Sequence, residues 1–449
     1  MCTCAVLPLI QVVVCPQRVA PMQRERFCET CARLIPFQRT TSTMSKTDIV
    51  RNDPTDPYAG ERLKLSYFHE RESALNLRDA WSSWNGFKFA DYYYDVHYEY
   101  FCIRNTCGTY DICPMQKYLV EGEDALVMLN RMVTRDLRKL RDNRVTYVAW
   151  CTDSGRLIDD GTIFRLGEER YLLTCGSPCL AWLRKSAFGF DRVHITDATE
   201  DWAALSLQGP TSFAVLQRMG FGNVAALKPF DIGHYPFRDT TLMISRTGFT
   251  GDLGYELWVD PEHALPMWDA LYSAGADFGI QPYGESATNM ARLEAGFIMP
   301  YMEFNEALKT VNFEYDQTPF ELDLGWLVDF KKPHFNGRSA LLAHKQHGPK
   351  VILTKLNIEG NKPAEESILY GDKKCSQEIG YVTSAMWSPA VKANIALAMV
   401  NSEALSGDIW AEIYYQRELR HHHKVARCTV QDKPFWSPDR ARATPPELV

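Results

Sequence analysis

The sequence predicts an α+β protein with a separate C-terminal β domain, and three observations carry that prediction. Helical and strand-like periodicities interleave through the first three quarters of the chain without the strict β-α-β rhythm of a parallel sheet. After Lys350 the pattern changes to short strands broken by turns, which suits a small barrel. At 449 residues the chain is also longer than one ordinary core encloses, so two or three domains are expected.

Residues 1–43 read differently from the rest. They hold five arginines against two acids and five of the thirteen cysteines, and Met44-Ser45-Lys46 looks like a natural beginning. The expectation is a disordered N-terminal extension. Residues 66–77 form one amphipathic piece after a polar stretch rich in turn signals. Residues 89–101, F-A-D-Y-Y-Y-D-V-H-Y-E-Y-F, are dense in aromatic rings. Rings bury large area, so a core role is expected; with Asp91, Asp95 and Glu99 nearby they could also wall a pocket for an onium group, whose methyls favour π faces.

Apolar residues at Ala125, Leu126, Leu129, Met132, Val133 and Leu137 give residues 124–140 the spacing of an amphipathic helix. Residues 146–150, 161–166 and 170–174 read as strands, and 177–187, 211–219, 261–278 and 284–295 as helices. In the C-terminal part, strands are expected at 351–358, 378–384, 395–400, 409–415 and 424–430.

Composition excludes several classes. A net charge of -7 without a basic block argues against nucleic acid as a partner. No apolar run approaches the roughly eighteen residues of a membrane span. Cysteines diluted over so long a chain, without a convincing secretory leader, suit reduced thiols and a cytoplasmic location. No metal site is expected: Cys28 and Cys31 lack a second pair, and strand alternation sends His421, His422 and His423 to opposite faces.

The most informative stretch is residues 245–256, S-R-T-G-F-T-G-D-L-G-Y-E. Gly248, Gly251 and Gly254 stand between two strand-like runs, which suggests a hairpin that turns tightly or lets a ligand approach closely. A second candidate is the acid pair Asp159 and Asp160, after the turn at Ser154-Gly155 and before an apolar strand. If that strand alternates, both cannot face solvent, and one of them is expected to be an ordinary exposed turn acid.

R-T-G-F-T-G-D-L-G-Y-E resembles the R-x-G-Y-T-G-E-x-G-x-E signature of the aminomethyltransferase family, which comprises the glycine-cleavage T-protein and the tetrahydrofolate-dependent demethylases. G-R-L-I-D-D (155–160), A-L-S-L-Q-G-P (204–210), A-R-L-E-A-G (291–296), T-P-F-E-L-D-L-G-W (318–326), F-N-G-R-S-A-L (335–341) and I-G-Y-V-T-S-A-M-W-S-P (379–389) follow in family order. The resemblance implies three domains around a central folate channel. It implies a catalytic region at 44–345 made of two intertwined domains, a C-terminal barrel at 346–440 and a tail at 441–449.

It also implies tetrahydrofolate as cofactor. Glu256 matches the family glutamate that accepts the donor edge of the pterin ring. Asp159 and Asp160 match the pair holding the catalytic aspartate, with no choice made between them. Arg292 matches an arginine lying along the folate, and Tyr255 and Trp326 are placed with it as cofactor-binding residues. Asp252, a shorter acid, stands where the signature has glutamate.

One departure bears on the donor. T-proteins resembling this chain read D-x-S-H before the first helix, whereas Asp111 is followed here by Ile112-Cys113-Pro114. The favoured expectation is therefore a demethylase that takes a methyl group from a small S-, N- or O-methyl donor. The alternatives are a glycine-cleavage aminomethyltransferase, with a lipoylated carrier protein as partner, and a non-catalytic folate-binding protein.

Overall fold

Three large β systems carry the fold, and strand alternation decides what each turns inward. The structure is a computed structural model that describes residues 62–312 and 316–446. The N-terminal extension expected at 1–43 and residues 447–449 of the tail lie outside the described residues, which all fall within one compact unit.

A six-stranded sheet runs in the order Ile232–Phe237, Thr240–Ser245, Gly254–Val259, Ala203–Gln208, Cys107–Asp111 and Ile280–Pro282. Its pairs are antiparallel except the last. A five-stranded antiparallel sheet has the order Arg144–Cys151, Leu157–Gly167, Arg170–Cys175, Gln116–Glu121 and His194–Asp197. The C-terminal strands close a six-stranded barrel, Val351–Ile358, Ala393–Asn401, Glu378–Ser388, Ile368–Tyr370, Ile409–Arg417 and Arg420–Gln431, the last pairing back onto the first. Closure leaves no open sheet edge there. Ile368–Tyr370 was not anticipated, because three residues are too few to show alternation.

The helix expected over 124–140 is shorter, Ala125–Met132 followed by a 3-10 turn at Leu137–Lys139. Val133 leaves the helix to bridge Trp150, and the buried Lys332 ammonium collects the carbonyls of Asn130, Val133 and Arg135. Tertiary partners thus take over groups that a continuing helix would satisfy.

The aromatic stretch divides into the strand Phe87–Tyr92 and the helix Val96–Asn105, whose N-cap Asp95 accepts the amides of His97 and Tyr98. Its rings scatter. Tyr93 and Tyr100 are buried against Glu72 and Glu294, whereas Tyr98 and Phe101 are exposed. The histidine run behaves as alternation requires: His422 stacks on Tyr415 while His423 pairs with Glu412.

A buried ion network ties these parts together. Arg104, from helix Val96–Asn105, donates to Glu294 from Nε (2.9 Å) and Nη2 (2.7 Å), and from Nη1 to the Thr250 carbonyl (2.9 Å). Glu294 also accepts from Tyr100 and from barrel residue Ser388. Asp252 accepts from Arg440 at 2.7 and 2.9 Å and from Trp436 Nε1 at 3.0 Å. The polypeptide leaving the barrel is thereby strapped onto the glycine turn, and residues expected as a tail take part, since Arg246 donates to the carbonyls of Ala441 and Ala443.

Removing one member of a buried ion pair leaves the other charge uncompensated. Arg104→Met is therefore expected to destabilise the fold by about 3–5 kcal/mol. Urea denaturation against wild type measures this, and a loss below about 1 kcal/mol would show that the network is not holding the parts together.

Candidate functional site

A cavity of about 1840 Å³ lies among the three β systems. The six-stranded sheet contributes Tyr110 and Glu256 to its lining, the five-stranded sheet Asp159 and Asp160, and the barrel Leu353 and Lys355.

The acid pair owes its aim to an irregularity. Trp150 pairs with Asp159 but Cys151 pairs with Leu157, so Ile158 is an extra residue immediately before the acids. Such a bulge re-aims the side chains that follow it. Both acids line the cavity as a result, and neither is exposed, which corrects the expectation of one solvent-facing turn acid.

The two carboxyls differ in their partners. Asp159 Oδ1 accepts the Asp160 amide at 2.9 Å, while Oδ2 is buried without a hydrogen-bond partner. Burial, then the neighbouring Asp160 and Glu306 charges, push Asp159 well above the usual aspartate range. Asp160 accepts the Tyr147 hydroxyl at 2.6 Å; burial still pushes it up to about 6. Tyr147 stands beside Trp326, with ring centroids 6.0 Å apart, and the Arg135 guanidinium lies over the Trp326 ring. Trp326 lines the cavity with 63% of its surface exposed, so it belongs to the rim.

Glu256 faces the cavity from the strand Gly254–Val259, directly opposite Ser206 and Ser245 in the register. Its Oε2 accepts Thr247 Oγ1 at 2.6 Å and Ser245 Oγ at 3.3 Å. Burial raises this carboxyl above the ordinary glutamate value, and the two hydroxyls act in the opposite direction. Gly248 and Gly254 let the turn close over the buried Gln208: a Cβ at either position would stand within 2.1 Å of Gln208 Oε1. The turn in this way carries Phe249 to the cavity.

Two expected site residues do not line the cavity. Tyr255 alternates with Glu256, so its ring enters the core behind the sheet with no exposed surface. Arg292 is fully buried and committed elsewhere, donating to Glu303 (2.7 Å), Asn289 (2.8 Å), Ser384 (2.8 Å) and the Phe297 carbonyl (3.0 Å). It joins helix Glu285–Ala295 to the barrel and is not free to meet a ligand. Asp252 is likewise an anchor for the strap. Of the stretch 89–101, Phe89 alone is among the residues lining the cavity.

Other lining residues escaped the sequence reading. Glu285 accepts the Tyr110 hydroxyl at 2.5 Å, and Tyr110 stacks on Tyr283 at 5.5 Å. In sequence Glu285 looks like any acid in the first turn of a helix, so nothing marked it. In the segment that stands in place of the T-protein D-x-S-H, Asp111 accepts the Cys113 amide and Lys117 Nζ donates to the carbonyls of Ile112, Cys113 and Met115. Among the described residues no group of three or more His, Cys, Asp or Glu is arranged to hold a metal, and no helix is long and apolar enough to cross a membrane.

Residues 71–332 match the GCVT N-terminal domain and residues 353–437 the glycine cleavage T-protein C-terminal barrel domain. The chain belongs to the glycine cleavage T-protein, or aminomethyltransferase, family. Relatives include the aminomethyltransferase of Caldanaerobacter subterraneus, 32% identical over 75% of this chain and 87% of its own length. That of Halothermothrix orenii is also 32% identical, over 70% and 86%. Among solved structures, glycine cleavage system aminomethyltransferase T from Bartonella henselae superposes with a TM-score of 0.71 at 25% identity, covering 84% of this chain and 98% of that one. Family membership makes the chain a tetrahydrofolate-dependent transferase and agrees with the α+β, barrel-ended fold.

Because burial raises Asp160, the folded chain binds more protons than the unfolded chain between the ordinary 3.8 and about 6. Stability therefore falls as pH rises through that window. Asp160→Asn removes the charge and is expected to raise Tm by about 1–3 °C at pH 7.5. The advantage should vanish near pH 4, which thermal melts at the two pH values check.

Proposed function

We propose that the chain moves a one-carbon unit from an aminomethyl donor, held on a lipoylated carrier protein, to tetrahydrofolate, with release of ammonia. The observation that carries this reading is the convergence of Asp159, Asp160 and Glu256 on one cavity in a chain of this family. The curated relatives are named aminomethyltransferases, which supports the aminomethyl donor over the small methyl donor favoured from sequence.

The residues fit the cofactor. Glu256 would hold the row of N–H donors on the pterin edge, because a carboxylate accepts adjacent donors in paired fashion. Asp159 Oδ2, buried without a partner, is a polar atom left open toward a bound molecule. Arg135 and Lys355 line the cavity and suit the acidic arm, the part assigned from sequence to Arg292. When bound, tetrahydrofolate supplies the nitrogen that accepts the one-carbon unit.

The chain's own groups manage the proton. Burial favours the acid form of Asp159, which can give the proton at Oδ2 to the departing amine nitrogen. Asp160, titrating near 6 and steadied by Tyr147, is the complementary acceptor. Two neighbouring carboxyls with different environments thereby divide the acid and base roles.

A second reading, transfer of a methyl group from a small donor, is favoured by Pro114, which stands at the histidine position of the T-protein D-x-S-H segment, with the buried Cys113 at the serine position before it.

Single-turnover assays with tetrahydrofolate and an aminomethyl-loaded lipoylated carrier separate the readings. The expected products are 5,10-methylenetetrahydrofolate and ammonia. Asp159→Asn should slow the step by at least about 100-fold. Glu256→Ala should weaken tetrahydrofolate binding by about tenfold or more. Formation of 5-methyltetrahydrofolate from a small methyl donor, with the carrier inert, would replace this proposal by the second reading; tight folate binding without turnover on any donor would sink both.

A further inference from the structure

We infer that the cavity contains, beside its folate-facing carboxylates, a separate subsite for a positively charged nitrogen group, built from Glu285 and the rings of Trp84, Phe89 and Tyr110. Sequence density suggested a cation-binding aromatic wall within residues 89–101. The fold assembles one from different elements.

The rings form a continuous chain along the cavity. Trp84 and Phe89 have centroids 5.9 Å apart and tilted by 59°, and Phe89 meets Tyr110 edge-on at 6.4 Å. The ring planes are thus turned in more than one direction, with one face of Tyr110 held against Tyr283. Tyr110 in turn donates to Glu285, so a carboxylate stands at the end of the aromatic wall. All four residues line the cavity.

The wall is built rigidly. Trp84 Nε1 donates to the Gly176 carbonyl at 2.9 Å, and Asn85 Nδ2 donates at 2.9 Å to the carbonyls of both Gly176 and Pro114. Gly176 follows Cys175, which pairs with Gly161, the residue after Asp160. The strand register therefore sets the aromatic wall next to the acid pair.

Charge and size point the same way. Burial raises the Glu285 carboxyl, and a cation beside it would offset that cost. Arg292, on the same helix, acts on Glu285 electrostatically, but its guanidinium is committed to Glu303, Asn289 and Ser384. Ligand pockets commonly measure about 300–1,000 Å³. A cavity of about 1840 Å³ has room for a second ligand beside a folate. Once it has taken the proton from Asp159, the amine of the aminomethyl group is cationic, and the subsite suits that form. The inference rests on the proposed transfer only in naming that occupant; the charged subsite stands on the geometry.

The test uses the full chain with choline as the cationic probe and 3,3-dimethylbutan-1-ol as its neutral isostere. Saturation-transfer NMR of the methyl signals is the readout, and tetrahydrofolate is titrated in parallel. Choline is expected to bind at least about tenfold more tightly than the isostere. Glu285→Gln should abolish that preference, and Phe89→Leu should reduce it several-fold. Equal affinity for the two probes, or a preference that survives Glu285→Gln, overturns the subsite. So does failure of both probes on protein that binds tetrahydrofolate, whereas a choline preference in protein that does not bind tetrahydrofolate upholds the subsite and removes the transfer reading beneath it.

Discussion

Arg104 is the constraint on which the arrangement of this protein depends. Its guanidinium stands where helix Val96–Asn105, the glycine turn and helix Glu285–Ala295 meet, and through Glu294 it reaches barrel residue Ser388. None of these contacts is local in sequence, and together they outweigh the cost of burying the charge only because every member is hydrogen-bonded. Asp252 adds the C-terminal strap through Arg440 and Trp436. The cavity is then what remains open between parts whose relative positions are already set.

The scaffold acids and the acids Asp160, Glu256 and Glu285 of the cavity find different kinds of partner. Arg104 with Glu294, and Arg292 with Glu303, are buried pairs with short, well-directed contacts. Three cavity acids instead have hydroxyls for partners, Tyr147 for Asp160, Thr247 and Ser245 for Glu256 and Tyr110 for Glu285, whereas Asp136, Asp323 and Asp329 of the same lining pair with Arg138, Lys355 and Lys139. Burial raises Asp160, Glu256 and Glu285, and Asp159 further still. Incompletely neutralised acids gathered in one concave space cost stability and are retained where binding or proton transfer needs them.

What could be read from the sequence follows from how far each signal reaches along the chain. Five of the six barrel strands were legible because alternation and turn residues are local, and so was the hairpin around Gly248, Gly251 and Gly254. Asp159, Asp160 and Glu256, which line the cavity, could be singled out in the sequence because their motifs are contiguous. Tyr255 and Arg292 were misplaced for a physical reason: a motif identifies a segment, but strand alternation and a pairing 92 residues away with Ser384 decide which side chains in it face a ligand. Glu285 was missed because its partner Tyr110 lies 175 residues distant. Only the register of Cys107–Asp111 against Ile280–Pro282 brings them together.

The glycine turn shows why a short motif can govern so much. Gly248 and Gly254 lack side chains so that Gln208 can lie beneath them, donating from Nε2 to the carbonyls of Thr247 and Tyr255 and accepting from Thr250. A side chain at either glycine would displace Gln208 and move Thr247, which holds Glu256, together with Thr250, whose carbonyl Arg104 holds. One face of the turn therefore orients a cavity carboxylate while the other is fastened to the ion network. Scaffold and site share this backbone, so neither could drift without the other.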